Sequence, residues 1–346
     1  MQDAKSLESV PVFLGLDYHT KFVQICVMDA RGKVLRNCRR GNSVAELAGA
    51  LERQWVVRRA AVESGCGAAN LAEDLAAEVG WQVTLAHPGY VNRMKHNPDK
   101  SDYSDSRMLA ELCRVGMIPP VWLPPAPIRD LRALIRRRAD VVGRAKAVKC
   151  RILAELRQQR IVEPEEIGGR WTKAWLAWLA SDQTGLSEQG RFVIETELLE
   201  LGFLKQQLKA VEKRLRQATR DDKVVQRLLT IKGVGEVTAW TMRAMIGRFD
   251  RFATGKQLAR FCAITPRNAS SGGRGGEAGL IKAGDPLLKS VLIEAAHRLK
   301  RNEPRWKALA ERLLARGKPK SVVAAAIANR WVRSLFHQMQ EEPATN

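Results

Sequence analysis

The first 86 residues hold a succession of short apolar runs and helical patterns that few folds can accommodate. Three apolar runs come first, with a short turn between the last two, which predicts an antiparallel meander of three strands. Helical patterns then alternate with two further strands. In chain order, the predicted elements are strands at 11–17, 21–28 and 33–36, a helix at 43–56, a strand at 59–63, a helix at 68–79 and a strand at 81–86. This succession predicts a mixed α/β domain.

Three strands followed by alternating helices and strands are the order of a ribonuclease-H-like domain. A helix capped by Ser101 comes next, and five prolines between residues 119 and 127 predict an extended connector. The rest of the chain is mainly helical. The predicted domains are an α/β domain over 1–125, a basic helical and coiled-coil linker region over 126–222, and a mainly helical domain over 223–346. The expected fold class is therefore α/β plus all-α.

The charge of the chain points to a polyanionic partner. The 346 residues include 58 lysines and arginines against 37 acidic residues, a formal net charge of +21. Cations that neutralise phosphates release counterions, so nucleic acid is the expected partner; a basic surface with no specific partner is the alternative. No two of the six cysteines form a CxxC pair, which argues against a zinc finger.

The sequence lacks the usual signs of a membrane or secreted protein. No apolar run reaches the ~18 residues of a membrane span, and the N-terminus has no signal-peptide pattern. Unpaired cysteines suit a reducing compartment. We therefore expect a soluble cytoplasmic protein that does not bind a membrane.

Four acidic residues are candidate metal ligands. Asp17 and Glu63 each end a predicted strand, and Asp102 and Asp105 share one face of the following helix. Carboxylates crowded at one sheet edge repel one another unless cations lie between them. Hard cations such as Mg²⁺ take oxygen ligands, and two of them can clamp the attacking and leaving oxygens of a phosphodiester. The alternative is that these are solvated strand-end acids and an ordinary acidic pair in a first helical turn.

Residues 127–160 form the most basic helical segment, with 11 basic and 3 acidic residues. Because the acids of this segment are too few to pair with its bases, we predict a surface that follows nucleic-acid phosphates. A solvated helix face is the alternative. The candidate contacts are Arg136, Arg137, Arg138, Arg144, Lys146 and Lys149.

Two apolar patterns follow the basic segment. Trp171, Trp175 and Trp178 fall on one helical face, which predicts packing rather than base stacking. From Leu201 to Ala218, apolar residues recur at steps of three and four, as in a coiled coil. A coiled-coil hairpin, a dimer seam and ordinary helix packing all fit this second pattern.

Two glycine-containing segments are candidate nucleic-acid contacts. Ile-Lys-Gly-Val-Gly at 231–235 resembles a helix-hairpin-helix element, whose glycines let backbone N–H groups approach a DNA phosphate; a plain turn between packed helices is the alternative. The loop at 270–276 places serines between arginines, which fits a nucleophile beside a phosphate or simply a flexible turn. The candidate contacts in and beside these segments are Lys232, Gly233, Gly235, Arg267, Arg274 and Lys282.

The motifs taken together resemble one family. An Asp-Glu-Asp-Asp set precedes a basic helical middle, then Ile-Lys-Gly-Val-Gly and Thr-Pro-Arg-x-x-x-Ser-Gly-Gly. This combination resembles the DEDD insertion-sequence transposases of the IS110 type over almost the whole chain. Its most specific segments are 15–17, 62–63, 100–110 and 261–284. This chain reads Cys262-Ala263-Ile264 where the family usually shows Gly-Leu, a difference that concerns the start of the serine loop.

The resemblance implies a domain like the RuvC Holliday-junction resolvase, a coiled-coil linker and a transposase domain with a catalytic serine. Matched by motif, the catalytic acids are Asp17, Glu63, Asp102 and Asp105, and the serine is Ser271, with Ser270 beside it. It further implies Mg²⁺ held by the four acids and a phosphoserine intermediate in DNA strand exchange. A structured noncoding guide RNA, or bridge RNA, would pair with double-stranded target and donor DNA.

The resemblance also implies a dimer or tetramer whose active site combines acids and serine of different subunits, acting in the bacterial or archaeal cytoplasm on the nucleoid. An RNA-guided DNA recombinase is thus the leading interpretation. The alternatives are a RuvC-like structure-specific nuclease with water as nucleophile, and a basic nucleic-acid-binding scaffold without catalysis.

Overall fold

The computed structural model of the protein describes residues 9–94, 101–268 and 277–340. The chain divides into two compact units inside the proline-rich connector. The first unit is Met1–Pro124 and the second unit is Pro125–Asn346.

The first unit is built on a five-stranded sheet. Its strands are β1 (Val10–Tyr18), β2 (Phe22–Asp29), β3 (Val34–Gly41), β4 (Trp55–Glu63) and β5 (Val83–Ala86). Its helices are α1 (Val44–Ala48), α2 (Ala68–Val79), α3 (Pro88–Met94) and α4 (Asp102–Arg114). The spatial order is β3-β2-β1-β4-β5, with β1 to β3 antiparallel and with β4 parallel to both β1 and β5. The predicted α/β domain and its three-strand meander are confirmed.

The predicted helix over 43–56 is wrong in its second half. α1 ends at Ala48, and β4 begins already at Trp55. Trp55 pairs with Val10 of β1 and packs against the core of the sheet. Pairing with a neighbouring strand therefore overrides the local helical pattern.

Alternate residues of the strands face opposite sides of the sheet. Val12, Leu14 and Leu16 of β1 belong to the core that also contains buried residues of α1 and α2. Gly15 and Asp17 therefore face the other side, where α4 packs. This alternation decides which face carries the candidate site.

The second unit is mainly helical, as predicted. Its helices are α5 (Ala126–Gln158), α6 (Lys173–Leu179), α7 (Glu188–Thr219), α8 (Lys223–Leu229), α9 (Glu236–Ile246), α10 (Gly255–Phe261), α11 (Pro286–Asn302), α12 (Pro304–Ala315) and α13 (Lys320–Gln340). Two short strands, β6 (Pro266–Asn268) and β7 (Glu277–Leu280), pair antiparallel. The further division of this unit into a linker region and a C-terminal domain stays a prediction.

α5 and α7 form an antiparallel hairpin. Arg138 pairs with Glu212 at 2.8 Å, whereas Arg151, farther along α5, pairs with Glu197, nearer the start of α7. The heptad pattern of α7 packs within the chain, since Leu204 and its apolar neighbours share a core with residues of α5. A coiled-coil hairpin is thus the form that the pattern takes.

The tryptophans beside this hairpin are packing residues, as predicted, but the expected single helical face is wrong for Trp171, which lies before α6. Trp175 and Trp178 of α6 are buried in the hairpin core. Trp171 precedes the helix in a left-handed conformation, with φ of 69°, and its ring lies 4.7 Å from that of Trp175. Base stacking would need exposed rings, so the cluster stabilises the hairpin.

A larger core joins α8 to α13 with the beginning of α5 and the end of α7. Its fully buried side chains include Leu228, Met242, Leu258 and Leu292. Among the helices of the described ranges, none has the length and apolarity required to cross a membrane.

Candidate active site

Two carboxylates lie at one edge of the first unit's sheet. Asp17 is the penultimate residue of β1, and Glu63 is the last residue of β4. The two strands are parallel and Leu16 pairs with Val62, so Asp17 and Glu63 occupy the next position on each strand. Leu16 and Val62 are core residues on the side of α1 and α2. Asp17 and Glu63 therefore share the opposite face.

α4 begins beside this edge with two more carboxylates. Ser101 caps the helix, and its hydroxyl accepts a hydrogen bond from the N–H of Ser104 at 3.1 Å. A serine is favoured there because it satisfies a backbone donor that the helix leaves free. Asp102 and Asp105 lie in the first turn of the helix. The cap thus fixes the point at which the acidic turn starts.

Gly15 of β1 sets how closely α4 approaches the sheet. A Cβ atom at this position would lie 2.0 Å from the carbonyl oxygen of Ser106 and 2.4 Å from the backbone nitrogen of Ala110. Both are backbone atoms that cannot rotate away, so only glycine fits. The close crossing brings the first turn of α4 over the end of β1.

A polar network ties the same turn to β2 and β3. Gln24, which pairs with Asp17 in the sheet, donates to the side-chain oxygen of Asn37 at 2.7 Å. The buried Ser106 hydroxyl donates to the same oxygen at 3.2 Å. Asn37 in turn donates to the Tyr103 carbonyl at 3.0 Å. These bonds fix the rotation of α4 as well as its distance.

His19 connects two of the predicted acids. Its Nε2 lies 3.3 Å from Asp17 Oδ2 and 3.5 Å from Asp102 Oδ1. The imidazole ring stacks on Phe22 with the ring centroids 4.4 Å apart. Arg39 contacts both Asp102 and Phe22. Its guanidinium lies 3.4 Å from Asp102 Oδ2 and 3.8 Å from the Phe22 ring centroid.

The pKa of the Asp17 carboxyl is raised above its ordinary value. Burial is the largest cause, because it disfavours the charged form. Asp102 and Asp105 raise the pKa further by charge repulsion, while His19 opposes the shift. The carboxylates are therefore close enough to repel one another across the end of β1.

Two of the four predicted acids, Asp17 and Asp102, lie in one cluster with His19. One ligand atom each from Asp17, His19 and Asp102 lie within 4.8 Å of one another, the spacing of a metal site. In the described ranges, neither Glu63 nor Asp105 belongs to this set. Glu63 is half-buried at the end of the neighbouring strand, and Asp105 is buried in the first turn of α4.

His19 is the residue that sequence reasoning missed. It was one of five histidines without a recognised partner. Its signal is the spacing Asp-x-His at the end of a strand, since residues two apart point to the same face. That spacing alone is too common to be read without the sheet.

Two family models match the chain in consecutive segments. Residues 14–160 match the DEDD transposase model of the IS110 group, and residues 225–311 match the model described as the transposase IS116/IS110/IS902 family. The first match includes all four predicted acids. The chain belongs to the IS110-type DEDD transposases.

Three relatives agree with this assignment, two of them over nearly the full length of the chain. The transposase for insertion sequence element IS1111A of Coxiella burnetii is 29% identical over 94% of this chain and 89% of its own length. A probable family 20 transposase of Pseudomonas aeruginosa is 27% identical over 95% of this chain and 97% of its own. The transposase for element IS1328 of Yersinia enterocolitica is 31% identical over 38% of this chain and 40% of its own. The protein is a DNA transposase, and its family implies a divalent metal.

The basic helix of this transposase is partly neutralised by its hairpin partner. Arg137 donates to Gln207 and pairs with Asp140, Arg138 pairs with Glu212, and Arg144 lies 3.9 Å from Glu200. Acids of α7, which the sequence alone does not place beside α5, thus neutralise part of this basic surface.

The other predicted contacts on α5 differ in exposure. Arg136 and Lys146 are exposed, and Lys149 is half-buried with its ammonium 4.9 Å from the Trp171 ring centroid. None of the three has an ion-pair partner among the described residues. They are the stronger candidates for a phosphate contact on this helix.

The helix-hairpin-helix pattern of the transposase joins α8 to α9. Gly233 has φ of +86°, and a Cβ atom there would lie 2.7 Å from Leu299 Cδ2, so glycine is required. Gly235 is the N-terminal cap of α9. Lys232 is exposed, with its ammonium 3.2 Å from Glu303. Two helices joined by a tight glycine turn fit either a phosphate contact or simple packing.

Ser271, its neighbour Ser270 and Arg274 lie outside the described residues. Of the remaining candidates, Arg267 on β6 and Lys282 after β7 are both exposed. Upstream of β6, Ala263 has φ of +56°, a left-handed conformation that glycine adopts at lower cost. This is the segment in which the family usually shows Gly-Leu.

Proposed function

We propose that this transposase cleaves and rejoins DNA strands with Ser271 as nucleophile and with Asp17, Glu63, Asp102 and Asp105 holding a pair of Mg²⁺ ions. The observation that carries the proposal is the convergence of the Asp17 and Asp102 carboxylates on His19 at the end of β1. Asp17 and Asp102 are far apart in the sequence, and their closeness in the fold supports a single site.

The residues at this edge fit a hard divalent cation. Carboxylate oxygens are the ligands that Mg²⁺ prefers, and one oxygen each of Asp17 and Asp102 lie within 4.8 Å of each other beside His19. Burial is the main cause of the raised pKa of Asp17, and the nearby charges of Asp102 and Asp105 raise that pKa further. When bound, such a cation supplies positive charge that polarises the scissile phosphate.

The surrounding side chains keep the acids in place for this role. His19 holds one oxygen of Asp17 and one of Asp102, and Arg39 lies beside the second oxygen of Asp102. Ligands held by such partners lose less freedom when a cation binds. His19 and Arg39 are therefore positioning residues in this proposal.

The serine step exchanges one phosphate ester for another. The Ser271 Oγ–P bond forms as the P–O bond to one deoxyribose breaks. The serine loses its hydroxyl proton, and the departing sugar oxygen takes one up. Rejoining is the reverse reaction with a different strand end. A phosphoserine keeps the ester that hydrolysis would destroy, so strands can be rejoined without an external energy source.

We further propose that a structured noncoding guide RNA, or bridge RNA, selects double-stranded target and donor DNA by base pairing. The net charge of +21 supports a protein that neutralises more than one nucleic acid. We also propose a homodimer or homotetramer as the active form.

A trapped covalent adduct tests the serine step. The full chain is incubated with element DNA, guide RNA and Mg²⁺, then denatured, and the DNA-linked peptide is identified by mass spectrometry. We expect an adduct on Ser271 that disappears in Ser271→Ala and persists in the matched control Ser270→Ala. Strand cleavage by Ser271→Ala at the wild-type rate would contradict the proposal and favour water as nucleophile. An adduct that forms equally well without RNA would contradict the guide role.

A further inference from the structure

An open cavity of about 680 Å³ lies between β6, β7 and α13 in the second unit. Its α13 wall is formed by one face of the helix, from Val322 through Ala326 to Arg333. Ile264, just before β6, and Leu280 of β7 line the opposite side. The cavity is large enough for a ligand of nucleotide size.

Three guanidinium groups line this cavity. Arg267 comes from β6, and Arg330 and Arg333 come from α13; all three side chains belong to exposed residues. The described side chains provide no carboxylate partner for any of them. Among the described residues, Arg330 makes one long contact, 3.4 Å, to the Ala326 carbonyl. Three unpaired cations around one cavity favour an anionic ligand.

The remaining walls favour a ligand that is also apolar. Ile264 is buried, and Leu280, Val322 and Ala326 add aliphatic surface around it. A free phosphate would leave this aliphatic surface exposed to water. A nucleotide would cover it with a flat base and also present a phosphate to the arginines. Enzymes that hold a base outside the duplex stack it against apolar walls of this kind.

Two contacts anchor the α13 wall of the cavity. Asn329 of α13 donates to the Ile264 carbonyl at 3.2 Å, which holds the helix against the start of β6. Farther along α13, a Cβ atom on Gly255 of α10 would lie 2.9 Å from the carbonyl oxygen of Arg333, so α10 and α13 are also in direct contact. The arginines on α13 are thus anchored at two points.

We propose that this cavity binds one unstacked nucleotide of the DNA, with the base against the aliphatic wall and the phosphate on Arg330 and Arg333. Both ends of the 269–276 segment, which carries Ser271, join the strands that line the cavity. A nucleotide held there comes from a strand that is unpaired during exchange. The inference needs DNA binding by the transposase and does not depend on the serine step.

Binding of a fluorescent single-stranded oligodeoxynucleotide to the full chain tests this site without metal or cleavage. The comparison strand has the same length but carries abasic sites in place of some nucleotides. We expect the intact strand to bind about tenfold more tightly, the usual scale for one stacked base. In Ala326→Phe, which places a ring against the aliphatic wall of the cavity, the two strands should bind equally, with affinity for the abasic strand unchanged. Val322→Phe repeats the test at a position that is 45% exposed, where a larger side chain is tolerated.

The arginines make a separate prediction. Arg330→Gln combined with Arg333→Gln should weaken both strands and reduce the salt slope by about one to two, while Arg316→Gln, exposed elsewhere, should change neither. Equal binding of both strands by the wild-type chain would overturn the inference. The inference would also be overturned if both phenylalanine variants still bound the intact strand more tightly than the abasic strand. A change in oligomer size in those variants, with this difference in affinity intact, would mean that the cavity binds a protein segment.

Discussion

Asp17 shows at the scale of one residue how a site can be unfavourable for the folded chain and useful for its chemistry. Burial and the charges of Asp102 and Asp105 raise its pKa above the value in an unfolded chain. Between those two pKa values the folded state binds more protons. Stability therefore falls as the pH rises through this window, and the penalty is fully present at neutral pH.

Asp17→Asn is expected to stabilise the metal-free protein at neutral pH by about 1 kcal/mol, the common size for a functional residue replaced by a neutral one. We expect Mg²⁺ or Mn²⁺ to raise the Tm of the wild-type chain, and Asp17→Asn should abolish this rise. Thermal denaturation with a chelator and with each ion measures both effects. Asp74→Asn, at an exposed position on α2, is the control and should behave as wild type. A destabilised Asp17→Asn that still gains Tm from the ions would contradict this account.

Gly15 determines at the scale of elements whether α4 can rest on the sheet. Gly15→Ala would place a Cβ atom 2.0 Å from the carbonyl oxygen of Ser106. We expect a loss of more than about 3 kcal/mol in unfolding free energy, because backbone must move to relieve the clash. Chemical denaturation measures it, with Gly143→Ala as control, since a Cβ atom there has open space and should favour helix α5. Equal stability of Gly15→Ala and wild type would show that α4 is not held this way.

The α5–α7 hairpin separates two kinds of basic residue. Arg138 is partly buried and paired with Glu212, so Arg138→Gln should lower stability by about 1–3 kcal/mol with a small effect on nucleic-acid affinity. Arg136 is exposed, so Arg136→Gln should leave stability unchanged and weaken binding by a fewfold. Denaturation and fluorescence anisotropy on both variants measure the two effects. The reverse pattern would mean that the ion pair opens to bind phosphate.

Sequence patterns predicted the elements better than their partners. The meander and the capped α4 follow from local alternation and from Ser101, so both are legible in sequence. The hairpin partner of α5 and the length of α1 depend on contacts between distant residues. His19 belongs to the same class, because only the paired strands bring it between Asp17 and Asp102. The acids are candidates from their positions at strand ends and in a first helical turn, and the family pattern then matches all four.

At the scale of the whole molecule, the net charge of +21 predicts how the transposase holds nucleic acid. If several phosphates are neutralised together, affinity should fall by about a thousandfold or more between low and physiological salt. Titrations of DNA and of guide RNA at several salt concentrations measure the slope for each. If the affinities for DNA and for RNA did not change with salt, the basic residues would be neutralised by acids within the protein, as Arg138 is by Glu212.

In the mechanism that we propose, the four acids form one metal-dependent site for DNA cleavage. Divalent-ion-dependent strand cleavage by the full chain tests it most directly, with Asp17→Asn, Glu63→Gln, Asp102→Asn and Asp105→Asn compared in parallel. Each variant should lose about 100-fold or more in cleavage rate while retaining DNA affinity, and Asp74→Asn should cleave as wild type. Cleavage at the wild-type rate by Asp17→Asn or Asp102→Asn would contradict the account.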